Sequence, residues 1–231
     1  MKIKTSLIAA LVATSSSLTQ AAQLNVTITN LTQGIHFTPF VVAGHDDSAR
    51  MFETGQPASS QLQAVAEGGD ISGFVNLLNG IGAVVVENPA GGLLVPGGDT
   101  SFTIDTGDLG YLSMVSMLLP TNDGFAGLDS WKIPSQPGVY TVNLSAYDAG
   151  TEANDEIVNG GGAPGVPGIP AAPGGDAGAN GSGVTDSEAN QTVHIHRGVL
   201  GDDDPTAGNS DLDNRVHRWL NPVIRLRIEV L

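Results

Sequence analysis

The segment Ile224-Arg225-Leu226-Arg227-Ile228-Glu229-Val230 alternates apolar and charged residues without a break, and three of its four apolar positions are β-branched. A period of two puts Ile224, Leu226, Ile228 and Val230 on one face and Arg225, Arg227 and Glu229 on the other, as in a half-buried strand. Near the opposite end of the chain, Leu24-Asn25-Val26-Thr27-Ile28-Thr29-Asn30 repeats the pattern. Working inward, strands are predicted over 37–43, 82–86, 100–104, 111–119, 139–146 and 192–197. Turn signals such as Pro96-Gly97-Gly98-Asp99 and Pro137-Gly138 separate them. Only one region has helical period. Leu62, Val65 and Ala66 form a stripe between Ser59/Ser60 and Gly68, and Asp70 precedes a second turn carrying Phe74, Leu77 and Leu78. Many strands with one or two short helices predict an all-β fold, a decorated antiparallel β-sandwich.

Before the first strand, Lys2 and Lys4 precede an apolar run from Leu7 to Ala13, and Thr19-Gln20-Ala21-Ala22 follows. A basic start, a short apolar stretch and small residues in series predict a signal peptide over 1–22, with export to the periplasm or the medium. The apolar run is about half the ~20 residues a membrane helix needs. Residues 23–231 are then expected to form a single domain. The chain has no cysteine, so disulfides, thiol chemistry and cysteine-based zinc sites are all excluded. An exported domain without disulfides depends on its core, on bound ions, or on both. The formal charge is −15, and loss of Lys2 and Lys4 with a leader would make it −17 and leave Lys132 as the only lysine. Such a surface repels nucleic acid and anionic membranes and attracts cations.

Residues 159–183 are low in complexity, with Gly160-Gly161-Gly162 followed by Ala-Pro, Val-Pro and Ile-Pro pairs, and predict a long flexible Gly/Pro-rich loop. Nucleophile-elbow, HExxH and P-loop motifs are absent. A Gly160, Gly162, Gly165 string has glycine-fingerprint spacing but contains a proline and lacks a strand-to-helix context. Nothing in the chain predicts an enzyme. Three acidic stretches remain: Asp123 to Asp129, Asp148 to Glu156, and Asp202-Asp203-Asp204 through Asp213. The first two leave predicted strand ends. Their carboxylates are either solvated turn and cap residues or a site for a hard cation bound by oxygen. A crossing segment within Phe125 to Ile133 would bring both to one end of the fold. The third stretch lacks spaced ligands and reads as a solvated loop. His194 and His196 lie two apart on a predicted strand, roughly 7 Å from each other on one face. Such a pair either packs at the sheet surface or clips a transition metal, as in a metal-dependent hydrolase.

The segment Leu119-Pro120-Thr121-Asn122-Asp123-Gly124-Phe125-Ala126-Gly127-Leu128-Asp129-Ser130 resembles the Pro, Asp, aromatic, Gly and Asp run of the spondin N-terminal domain. Tyr147-Asp148-Ala149-Gly150-Thr151-Glu152 is similar to that family's aromatic residue followed by Asp-Ala-Gly-Thr-Asp. Thr29-Asn30-Leu31-Thr32, Phe52-Glu53-Thr54-Gly55-Gln56-Pro57, His194-Ile195-His196-Arg197-Gly198 and Asn221-Pro222-Val223 resemble its bacterial branch. The resemblance implies a C2-like antiparallel β-sandwich with a Ca2+ site at one end. Carried over by position, it implies Asp123, Asp129, Asp148 and Glu152 as ligands, with Glu152 where the family usually has Asp. Cysteines and thrombospondin-type repeats of the animal proteins are missing here. What the resemblance implies is a secreted, non-catalytic module for binding or adhesion, its partner an extracellular protein or glycan. Against it stand a hydrolase built on His194 and His196 and a secreted structural protein with no metal site.

Overall fold

A computed structural model describes residues 22–231. The predicted signal peptide, apart from Ala22, lies outside the described residues. The elements, in order, are β1 (Gln23–Asn30), β2 (His36–Phe37), β3 (Val41–His45), α1 (Ser60–Gly68), α2 (Ser72–Gly80), β4 (Val84–Glu87), β5 (Asp99–Asp105), β6 (Tyr111–Leu119), β7 (Gly124–Lys132), β8 (Gly138–Leu144), β9 (Ala146–Asp148), β10 (His194–Ile195) and β11 (Ile224–Val230). The fold is all-β, two antiparallel sheets face to face. One sheet runs β5-β1-β11-β8, and the other runs β10-β9-β7-β6-β3-β4, with β2 paired to β6.

The first and last strands pair along their length, Leu24 opposite Val230 and Asn30 opposite Ile224. Their alternation therefore works as predicted. Leu24, Val26, Ile28, Ile224, Leu226 and Ile228 all point inward and meet Leu112, Met114, Leu118 and Ala126 of the larger sheet. Burying such side chains is the dominant favourable term, at about 1.5–3 kcal/mol for each large one. The opposite face of the larger sheet is not left in water. Val41, Ala43, Val115 and Phe125 on it are covered by Leu62, Val65, Phe74 and Leu78 of the two helices. This third layer explains why β6 reads as an almost unbroken apolar run, since both of its faces are enclosed. Helix α1 is capped at its start as predicted, and its C-cap lies one residue past the expected Gly68. The Ser59 hydroxyl accepts the Leu62 N–H at 3.1 Å, and Gly69 closes the other end with φ +70°.

Three predicted strands are divided or shortened. Pro39 interrupts 37–43, so the chain forms β2 and β3 instead. The 139–146 run breaks at Ser145, where the chain leaves β8 in one sheet for β9 in the other. Of 192–197, only His194–Ile195 pairs. The crossing segment that Phe125 to Ile133 could hold is present as β7, a nine-residue strand through the acidic stretch. Residues 159–183 form no helix or strand, but they are attached to the body. The Gly165 N–H donates to Glu67 Oε2 at 2.6 Å, the Gly168 N–H donates to Glu152 Oε1, and Ile169 is fully buried against Val199 and Leu212. Among the described residues, no helix is long and apolar enough to cross a membrane.

Candidate functional site

The site lies where β7, β9 and β10 lie side by side. Asp148, the last residue of β9, is flanked in register by Gly124 of β7 and His194 of β10. Asp123 immediately precedes β7, and its carbonyl accepts the Ala149 N–H at 3.1 Å, which ties the two aspartates' turns together. Asp123 is completely buried and Asp148 nearly so. Asp123 Oδ2 accepts the N–H groups of Thr151 (2.8 Å) and Glu152 (3.1 Å). Its Oδ1 is buried without any hydrogen-bond partner. Asp148 accepts the Gly150 N–H through Oδ1 and the Asn154 amide through Oδ2, at 2.9 and 2.8 Å. Glu152 accepts from Asn122 and Gly168 through Oε1, while its Oε2 is buried and unpartnered.

Burial and the charge of the neighbouring Asp148 push the Asp123 carboxyl up to about 8. Burial raises Asp148 and Glu152 as well, against the pull of their hydrogen bonds. Loss of hydration and mutual repulsion both penalise the ionised forms. Without a cation, this end of the sandwich therefore favours protonated carboxyls.

The residues predicted from sequence separate here. Asp123 and Asp148 come together, and Glu152 joins them through its backbone N–H on Asp123, while its carboxylate is held by Asn122 and Gly168. Asp129 does not join them, because β7 carries it five residues past Gly124, about 17 Å along an extended strand. Asp129 instead accepts Arg50 Nη1 at 2.8 Å and the Met51 N–H at 2.7 Å. Among the described residues, no three His, Asp or Glu side chains form a ready metal cage. A cation here would draw further oxygens from carbonyls or water, which suits calcium's six to eight oxygen ligands better than zinc's nitrogen-rich tetrahedron.

The histidine pair does not act as a unit. The Gly198 N–H donates to His196 Nδ1 at 3.0 Å, so the ring proton sits on Nε2, which is buried and unpartnered. With Nδ1 engaged and Nε2 protonated, neither nitrogen of His196 can bind a metal. Burial and the charges of Arg197 and His194 hold it down to about 3. His194 has different partners. Its Nδ1 donates to the Thr192 carbonyl at 2.8 Å, and its Nε2 lies 3.8 Å from Asp148 Oδ2.

Sequence reasoning passed over Glu156 and Asn122. Glu156 is buried and accepts the Leu200 and Gly201 N–H groups and the Ser210 hydroxyl. Asn122 bridges Glu152 and Asp155 through its amide nitrogen.

Two face-to-face antiparallel sheets with helices over one outer face place the chain among all-β sandwich domains. The family model described as Spondin_N matches residues 29–156, and the chain belongs to the spondin N-terminal domain family. That family is one of non-enzymatic extracellular modules. No curated protein matches the chain.

Proposed function

We propose that this protein is an exported, non-catalytic binding or adhesion module whose strand-end loops are ordered by calcium, working in the periplasm or outside the cell. The observation that carries the reading is the buried, unpartnered Oδ1 of Asp123 beside Asp148. Leaving such an oxygen without a partner costs about 1–3 kcal/mol, and more when it is charged. A divalent ion would supply the missing countercharge. Asp123, Asp148 and Glu152 would hold it, and Asp129 is excluded by its place along β7. The residues' own work is to present oxygens from two turns that backbone pairing already fixes. His194 stands on the opposite side of Asp148 and is its basic neighbour, 3.8 Å away.

The partner is expected to be an extracellular protein or glycan, because the net charge disfavours nucleic acid and anionic lipid. The test is thermal unfolding of metal-free protein with added calcium or chelator. At a hundredfold excess over the dissociation constant, calcium should stabilise by about 2.7 kcal/mol. Identical melting curves in calcium and chelator would remove calcium from the account.

A further inference from the structure

Away from the carboxylate site, a polar cleft of about 360 Å3 lies between the 50–54 segment, the middle of β7 and the crossing from β8 to β9. That volume falls within the ~300–1,000 Å3 of small-ligand sites. Two aromatic rings line it. Phe52 and Tyr147 have centroids 5.0 Å apart, and both lean on Phe125, at 5.1 and 5.5 Å. Phe52 reaches this place only because residue 127 is glycine. A Cβ there would lie 2.5 Å from the Phe52 ring. Both rings are partly exposed.

Around these rings stand hydrogen-bonding side chains of mixed type, Arg50, Glu53 and Asn143, all exposed. Arg50 is not free to wander, since Asp129, only 10% exposed, holds its Nη1 at 2.8 Å. Asp129 is in turn fixed by the Met51 N–H. The remaining guanidinium N–H groups are left to face a ligand in a set direction, which lowers the ordering cost of binding.

We propose that this cleft binds a neutral pyranose unit of an extracellular polysaccharide. The apolar C–H face of a pyranose suits the electron-rich faces of Phe52 and Tyr147. Its hydroxyls both donate and accept, matching a rim that offers guanidinium, carboxylate and amide together. Charge selects against acidic sugars: Asp129 neutralises Arg50, Glu53 adds a negative charge, and the whole chain is acidic. The inference rests on the binding-module reading but not on calcium, because Asp123, Asp148 and Glu152 do not line the cleft. Asp129 is here a positioning residue that acts through Arg50.

The test is an NMR titration of the 15N-labelled domain with cello-, malto-, xylo- and laminari-hexaose and with trigalacturonate, in calcium and in chelator. At least one neutral sugar should give saturable shifts at the amides of Phe52, Gly127, Asn143 and Tyr147. Arg50→Ala and Asn143→Ala remove exposed side chains and should keep the wild-type amide spectrum elsewhere while weakening that binding at least tenfold. Asp129→Asn, which keeps an acceptor for Met51 but releases Arg50, should weaken it too, and Arg50→Lys should not restore it. The proposal is overturned if no neutral sugar saturates, if trigalacturonate binds more tightly, if a peptide rather than a sugar shifts these amides, or if the variants bind as wild type. Absence of sugar binding together with a calcium-dependent melt would remove the cleft and leave the calcium reading standing.

Discussion

Two regions of this molecule are alike in their richness in carboxylates and opposite in their physics. In the 202–213 loop, Asp202 accepts the N–H groups of Asp204, Asn209 and Ser210, and Asp211 accepts those of Val158 and Gly181. Glu156, buried against the same loop, uses both oxygens. Every negative charge named there is met by donors from its own chain. At the β7–β9 end, Asp123 and Glu152 each retain a buried oxygen with no donor. The difference teaches that the number of acidic residues does not mark a cation site. What marks it is acceptor capacity that the fold leaves unused.

The largest expected effect sharpens the saturated side. Glu156→Ala strips partners from two backbone N–H groups and a hydroxyl, and should cost about 3 kcal/mol or more. Urea unfolding should show the same loss in calcium and in chelator. A loss that calcium repairs would place Glu156 among the ligands. Next comes Asp148→Asn on the unsatisfied side. It should abolish the roughly 2.7 kcal/mol calcium increment while stabilising the metal-free domain slightly, by relieving repulsion with Asp123. Equal destabilisation in both conditions would make Asp148 a turn former.

A smaller effect follows from protonation. A carboxyl raised to about 8 when folded binds a proton that the unfolded chain has already released. The folded state then holds more protons, so stability falls as pH rises through this range. Below about pH 6.5 the buried neutral His196 opposes the trend, because unfolding lets it take up a proton. The clean window is pH 6.5 to 8, where metal-free protein should lose about 1–2 kcal/mol. Melting temperatures across that window, compared with those of Asp123→Asn, would show it, and an equal slope in the variant would contradict it. The smallest effect is a null one. Asp129→Asn should leave the calcium increment unchanged, whereas a ligand at that position would lose it.

Strands whose two faces differ were legible in the sequence, as in Ile224–Val230 and Gln23–Asn30, and so was the fully covered β6. β7 was legible only as a possible crossing segment, because Gly124, Gly127 and Asp129 carry the signals of a turn. In the fold the glycines serve close approach: Gly127 admits the Phe52 ring, and Gly124 faces Thr121 and His196 where a Cβ would meet Thr121 Oγ1 at 2.6 Å. Asp129 was named through the family resemblance, and β7 carries it away to Arg50, while Asp123 and Asp148 needed only their adjacent strand ends to be brought together. The 159–183 segment concealed its attachment for another reason. Glycine N–H groups carry no sequence signal of their own, and their acceptors, Glu67 and Glu152, lie far away or on another turn. Helix capping was legible because Ser59 acts within three residues of itself.

The most direct measurement is calorimetric titration of calcium into metal-free wild-type protein and into Asp123→Asn at neutral pH. Saturable binding to the wild type that weakens at least tenfold in the variant, with the variant still folded, is the predicted result. No binding to the wild type, or equal binding to both, would contradict a cation site built around the unpartnered oxygen of Asp123.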